Sequence, residues 1–114
     1  MAVKLGFERL LADGNLSGRR VGVVCNPASV DAGYVHVIDR LQTSTARLTA
    51  IFGPQHGFRS DLQENMIETA HARDDERRVP VYSLYSDTRE PEASMLRDVD
   101  VLVIDLQDVG TRIY

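Results

Sequence analysis

The sequence contains a single cysteine, Cys25, so it can form no internal disulfide and no paired-cysteine metal or redox motif. Cys25 ends the apolar run Val21-Gly22-Val23-Val24-Cys25, where a small buried side chain is expected rather than a nucleophile. No pair of histidines, cysteines or carboxylates has the spacing of a metal site. We therefore expect no bound metal ion.

Signals for several classes of function are also missing. Neither G-x-G-x-x-G nor the Walker A pattern follows an apolar run, so we expect no nucleotide and no cofactor. The 13 Lys and Arg residues are scattered among 17 Asp and Glu residues, which gives a net charge of −4 and no basic patch for nucleic acid or an acidic membrane surface. Gly6, Glu8 and Arg9 interrupt the opening residues, so no secretory apolar segment is present, and the sequence as given is expected to be cytoplasmic.

The most apolar stretch present is segment 99–108, with the sequence VDVLVIDLQD. It is a nearly unbroken β-branched and aliphatic run that ends in polar residues. The run is too short to cross a membrane and does not alternate, so it predicts a strand buried on both faces at the centre of the domain.

The rest of the chain alternates between strand and helix patterns. The predicted elements are a helix over 3–13, strands over 21–25, 47–52 and 80–85, a helix capped by Asp31 with Tyr34, Val37, Ile38 and Leu41 on its apolar face, and a short helix after Pro91. This alternation predicts one α/β domain over residues 1–114, Rossmann-like, with a mostly parallel sheet and helices on both faces. Segment 73–78, RDDERR, has no apolar face and is predicted to be solvated surface.

The chain stops soon after its most apolar strand, where an α/β unit normally continues into a crossover helix. We therefore expect a truncated domain. Apolar surface exposed at that edge would favour a homodimer or poor solubility.

Polar residues follow every predicted strand. Because the carboxyl ends of parallel strands meet at one edge of a sheet, these residues should converge on one site. They are mostly neutral hydrogen-bonding types, which suit a polyhydroxylated ligand better than a phosphate. The set comprises Asn26, Gln55, His56, Ser83, Tyr85, Asp105, Gln107, Asp108 and Arg112.

Some of these residues also have a structural interpretation. Asp105 and Asp108 could cap a following helix or pair with Arg112 instead of acting on a ligand. His56 lies between two turn glycines, so it could hydrogen-bond its own loop or contact a ligand.

For other polar and aromatic residues, one interpretation, structural or functional, is favoured. Asn26 is expected to hold the turn that follows the first strand, whereas Gln107 is harder to explain by packing. Tyr82 and Tyr85 are expected to fill the core and the rim rather than to catalyse. The position of His36 predicts no role.

Four short sequence motifs, taken in order, resemble the amino-terminal part of a bacterial family, the exo-β-N-acetylmuramidases of peptidoglycan recycling. The family is known as the NamZ type and was formerly catalogued as a domain of unknown function. The motifs are VGVVCNP (21–27), FGPQHGFR (52–59), VYSLY (81–85) and DVLVIDLQDVGTRIY (100–114). The resemblance implies a Rossmann-like domain that forms a cleft with a carboxy-terminal domain, where terminal N-acetylmuramic acid is released from a peptidoglycan-derived glycan. On this resemblance, residues 1–114 are the first domain of a longer protein, and the isolated domain is expected to be inactive.

One position departs from the family pattern. Members usually carry a glutamate, a proposed catalytic acid, where this chain has Gln55, and an amide cannot act as a general acid. The acid would then come from Asp105 or Asp108, or from Asp61 or Glu64 in the intervening segment. The alternative is a non-catalytic carbohydrate-binding or scaffolding domain. In both cases Asn26, Gln55, His56, Ser83, Tyr85, Gln107 and Arg112 are the expected sugar contacts.

Overall fold

A computed structural model describes residues 3–54, 72–74, 79–84 and 90–108. Two α-helices, five strands and one short 3₁₀ helix lie in these ranges. In chain order they are α1 (Gly6–Ala12), β1 (Arg20–Cys25), α2 (Val37–Thr43), β2 (Arg47–Gly53), β3 (Ala72–Asp74), β4 (Val79–Ser83), the 3₁₀ helix (Ala93–Leu96) and β5 (Val101–Asp105).

The five strands form one sheet in the order β3-β4-β2-β1-β5. β1 pairs in parallel with both β2 and β5, and β2 pairs in parallel with β4. Counted along the chain, the parallel strands therefore lie in the order third, second, first, fourth, which is how the doubly wound α/β folds begin. The predicted α/β fold with a mostly parallel sheet is confirmed.

One face of the sheet is covered by α1 and α2. Phe7 of α1 and Ile38 and Leu41 of α2 pack against Val21 and Val23 of β1 in one buried cluster. Cys25 belongs to the same cluster and is fully buried, as predicted. Because alternate residues of a strand point to the same face, β1 presents a continuous apolar surface to both helices.

The opposite face of the sheet is covered by the segment that contains the 3₁₀ helix. Met95 packs there with Phe52 of β2, and Tyr82 lies against the Phe52 ring at a centroid distance of 5.4 Å, as expected for a core residue. Gly22 packs tightly at this layer, because a Cβ atom there would lie 3.1 Å from side-chain atoms of both Phe52 and Val99.

The start of α2 differs from the prediction. The helix begins at Val37 with His36 as its N-cap, not at Asp31. Tyr34 is not on the apolar face of the helix; it is 87% exposed and has a φ of 61°. Asp31 does not cap α2 because its carboxylate is used within the preceding loop, where it accepts from the backbone N–H groups of Gly33 and Val35.

β5 has one strand neighbour in the described part of the sheet. Segment 99–108 was expected to hold the central strand, and in the described ranges its strand β5 pairs in parallel with β1. Ile104 is 66% exposed and Leu106 is 47% exposed, whereas β1 is the buried central strand.

The opposite edge of the sheet is formed by β3, which pairs antiparallel with β4. Residues Arg73 and Asp74, predicted to lie in solvated surface, are therefore part of a strand. A short, charged strand is a common way of closing a sheet edge, because it does not recruit further strands. Residues 75–78 lie outside the described ranges.

Candidate functional site

Successive strands are added on one side of β1 as far as β4, and β5 is then added on the other side of β1. The connection from β1 leads through α2 to β2 on one side, while β5 lies on the other side. In open α/β sheets, ligands bind outside the carboxyl ends of the strands at such a reversal. The last paired residues of the two strands are Cys25 and Asp105, so the candidate site begins at the residues that follow them.

The side chain of Asn26 joins the two strands beyond their last backbone pair. Its Nδ2 donates to the backbone carbonyl of Gln107 at 2.8 Å, and the Gln107 backbone N–H approaches Asn26 Oδ1 at 3.5 Å. Asn26 is only 1% exposed. Because an amide side chain carries the same donor and acceptor as a peptide group, Asn26 extends the β1–β5 ladder by one rung. This is a larger role than the expected turn.

Ser29 completes the link between the two strand ends. Its Oγ accepts from the Asn26 backbone N–H at 3.0 Å and lies 3.0 Å from Asn26 Oδ1. The same hydroxyl also bonds to the backbone carbonyl of Asp105. Ser29 is fully buried, and the sequence analysis missed it. The available signal was a hydroxyl residue three positions after the asparagine of an Asn-Pro pair, a spacing at which side chains hydrogen-bond to nearby backbone groups.

His36, at the end of the β1–α2 connection, contacts the backbone of Asn26 at its beginning. Its Nε2 lies 2.8 Å from the Asn26 carbonyl oxygen, and its Nδ1 accepts from the Ile38 backbone N–H at 3.2 Å. Both contacts are satisfied by the neutral tautomer with the proton on Nε2, because a carbonyl can only accept. The sequence predicted no role for His36, since histidine is not a preferred N-cap residue.

Asp105 and Asp108 lie in different environments. Burial raises the pKa of the Asp105 carboxyl, while a contact from Gln107 Nε2 to Asp105 Oδ2 at 3.4 Å partly opposes that shift. Asp108 is exposed. The Asp105 carboxyl therefore holds its proton to higher pH than an ordinary aspartate does.

The structure brings Asn26, Asp105 and Gln107 together. Ser83 is buried at the carboxyl end of β4, on the same edge of the sheet but separated from β1 by β2. Four predicted residues lie outside the described ranges, as do the alternative acids Asp61 and Glu64; the four are Gln55, His56, Tyr85 and Arg112.

The described ranges contain no candidate metal cluster and no candidate membrane-spanning helix. Within them, no group of three or more His, Cys, Asp or Glu side chains is placed to hold a metal ion. None of the helices in the described part of the chain is long and apolar enough to span a membrane.

The strand order and the reversal between β1 and β5 define a doubly wound α/β domain, a class that carries its ligands at the carboxyl edge of the sheet. Residues 21–114 match the family model described as exo-beta-N-acetylmuramidase NamZ, N-terminal. The chain belongs to this family.

Individual relatives agree with this assignment. The chain is 44% identical over 115 residues to the peptidoglycan beta-N-acetylmuramidase NamZ of Bacillus subtilis, covering 98% of this chain and 28% of that protein. A crystal structure of a DUF1343 family protein from Bacteroides fragilis superposes with a TM-score of 0.74 at 40% identity, covering 91% of this chain and 25% of the other. A second DUF1343 protein from that organism gives a TM-score of 0.62 at 30% identity, covering 87% and 24% of the two chains. The chain thus spans about a quarter of the length of these relatives.

Proposed function

We propose that this chain supplies the carboxyl edge between β1 and β5 to the active site of a glycosidase that releases terminal N-acetylmuramic acid from peptidoglycan-derived glycans. Family membership and the activity named for the Bacillus subtilis relative support this proposal. Because the relatives are about four times as long as the matched region, we assign the remainder of the active site to a carboxy-terminal domain.

The observation that carries the proposal is the environment of Asp105. Glycoside hydrolysis requires a carboxylic acid that protonates the leaving oxygen, and enzymes raise the pKa of that acid by burial. Asp105 is partly buried at the strand-order reversal, and its pKa is raised for this reason. In our assignment Asp105 protonates the glycosidic oxygen as its bond to the anomeric carbon breaks, and the Asp108 carboxylate takes a proton from the attacking water.

The remaining polar residues of this edge are assigned to binding. Gln107 keeps its amide beside the Asp105 carboxyl, where it can also reach hydroxyl or N-acetyl groups of a sugar. Asn26 holds the two strand ends in register and positions both residues. Gln55, His56, Ser83, Tyr85 and Arg112 are the further proposed sugar contacts.

A second candidate function is carbohydrate binding without hydrolysis. It is favoured by Gln55, because the resemblance to the family implies a glutamate at this position and an amide cannot act as a general acid. This alternative predicts that N-acetylmuramic acid or its disaccharides bind in a calorimeter while no product is formed.

The test is release of N-acetylmuramic acid from a chromogenic muramide by the complete protein. Replacing Asp105 with Asn should lower kcat by about a hundredfold or more, because the proton donor is lost. It should also remove the fall in activity on the alkaline side of the pH profile. Asp98→Asn is the matched control, since Asp98 is an exposed carboxylate at the amino end of β5.

The outcomes separate the two candidates. An active parent that is silenced by Asp105→Asn supports the glycosidase. A parent that binds the sugar but hydrolyses it only after Gln55→Glu supports the binding domain. If the Asp105→Asn variant keeps the full activity of the parent, the catalytic acid is another residue.

A further inference from the structure

A loop of residues 26–36, here called the β1–α2 loop, rises from the carboxyl end of β1 beside the candidate site. Its base is closed by the Asn26–His36 contact at 2.8 Å and by the Val37 backbone N–H, which donates to the Ser29 carbonyl at 2.8 Å. Val30 and His36 form an antiparallel bridge across it. Since Asn26 also bonds to Gln107, the loop is fixed to the edge at which the sugar is proposed to bind.

The interior of the loop is organised by one carboxylate. The Asp31 side chain is only 4% exposed, and its Oδ1 accepts from the backbone N–H groups of Gly33 at 2.8 Å and Val35 at 3.1 Å. Its Oδ2 accepts from Arg40 Nε of α2 at 2.6 Å. The backbone bond from Val35 lowers the pKa of Asp31, and the bonds from Arg40 and Gly33 add to the shift. The ionised carboxylate therefore holds the loop in one conformation.

Tyr34 lies at the tip of this loop in an unfavourable backbone conformation. Its φ of 61° makes it the only non-glycine residue with a positive φ in the described part of the chain. Bulky residues rarely adopt this conformation, and when they do the surrounding structure must enforce it. The neighbouring Gly33 does not have a left-handed φ. The left-handed position of this loop, which would favour glycine, is therefore occupied by Tyr34.

The Tyr34 side chain does not contribute to the core. It is 87% exposed and belongs to neither of the two buried clusters. The fold therefore maintains an unfavourable conformation for a ring that is largely exposed to solvent. Residues held in this way concentrate at ligand-binding positions.

We propose that Tyr34 is a stacking platform for a pyranose ring of the glycan. The face of an aromatic ring is electron-rich, and the C–H bonds on one side of a pyranose pack against such a face. A rigid loop favours this contact, because little side-chain and backbone freedom remains to be lost on binding. The inference rests on the proposed function and adds a binding residue that is not among the predicted polar set.

The test uses the complete protein, the chromogenic muramide, and two variants of Tyr34. Tyr34→Phe keeps the ring and should leave KM within about twofold of the parent. Tyr34→Asn removes the ring but tolerates a left-handed conformation, so it should raise KM about tenfold with kcat nearly unchanged. The midpoint of thermal unfolding of Tyr34→Asn should be equal to or above that of the parent. Val3→Asn, at a residue 78% exposed outside the loop, is the control and should leave KM unchanged.

If the parent binds the sugar without turnover, the dissociation constant from calorimetry replaces KM in the same comparison. An unchanged KM or dissociation constant for Tyr34→Asn would overturn the stacking role and leave the proposed function standing. A clearly lowered unfolding midpoint for Tyr34→Asn would also overturn it, since the ring would then be structural. A parent that neither binds nor cleaves the sugar would overturn both proposals.

Discussion

Replacing Asn26 with Asp tests whether this amide joins β1 to β5. The substitution preserves the shape of the side chain but exchanges the Nδ2 donor, 2.8 Å from the Gln107 carbonyl, for an oxygen that only accepts when ionised. A hydrogen bond is lost, worth about 1 kcal/mol net, and a carboxylate is buried opposite a carbonyl oxygen. Together these effects should lower the free energy of unfolding at neutral pH by about 3–5 kcal/mol.

The sign of the pH dependence follows from the same geometry. Burial and the facing carbonyl should raise the pKa of the introduced carboxyl above its unfolded value of about 3.9. The folded variant therefore binds its proton more tightly than the unfolded variant. The variant should recover much of the parent's stability as the pH falls through the folded pKa, and lose it again as the pH rises.

The assay is urea unfolding of the parent and variant at about pH 7 and about pH 4, because the lower value lies close to the unfolded pKa and below the raised pKa of the folded variant. Asn15→Asp is the matched control, because Asn15 is exposed in a turn and the same exchange there should change stability by less than about 0.5 kcal/mol. Equal effects of the two substitutions, or a stability difference from the parent that does not shrink at the lower pH, would refute the proposed cross-link.

Two further predictions concern the sheet itself. Gly22→Ala should lower the free energy of unfolding by about 1–3 kcal/mol in urea melts, because the added methyl meets Phe52 and Val99 at 3.1 Å; unchanged stability would show that these side chains can move aside. Arg20 bonds bidentately to Asp100 and lowers the pKa of that carboxyl to about 2. The stability from this pair should be present above the unfolded pKa of about 3.9 and lost as the pH falls towards 2, so Asp100→Asn should flatten that part of the stability profile. A parent and variant with parallel acid limbs would contradict it.

Most of the fold follows from local patterns in the sequence. The strand predictions over 21–25 and 47–52 match β1 (Arg20–Cys25) and β2 (Arg47–Gly53) to within one residue at each end. The helix predicted over 3–13 is present as α1, Gly6–Ala12. These elements were predictable because the apolar spacing and the turn residues act over short distances in the chain.

The candidate site was predictable only in outline. The carboxyl edge and the residues Asn26, Asp105 and Gln107 follow from the rule that parallel strands end together. Their contacts do not, because the Asn26–Gln107 bond joins residues 81 positions apart. Ser29 was missed for the same reason, since its bond to Asp105 crosses 76 positions.

The sequence by itself determined that this chain forms an α/β domain with a parallel sheet, and its short motifs determined the family. Strand order was decided only by the tertiary structure. It gave β1 a parallel partner on each side, β2 and β5, although the run that contains β5 is the more continuously apolar of the two. The tertiary structure also turned Tyr34 out of the predicted helix, because the buried Asp31 carboxylate bonds the loop backbone instead of capping α2. Hydrophobic patterns report how much surface a segment can bury, whereas the partner of each strand and polar group is set by the whole chain at once.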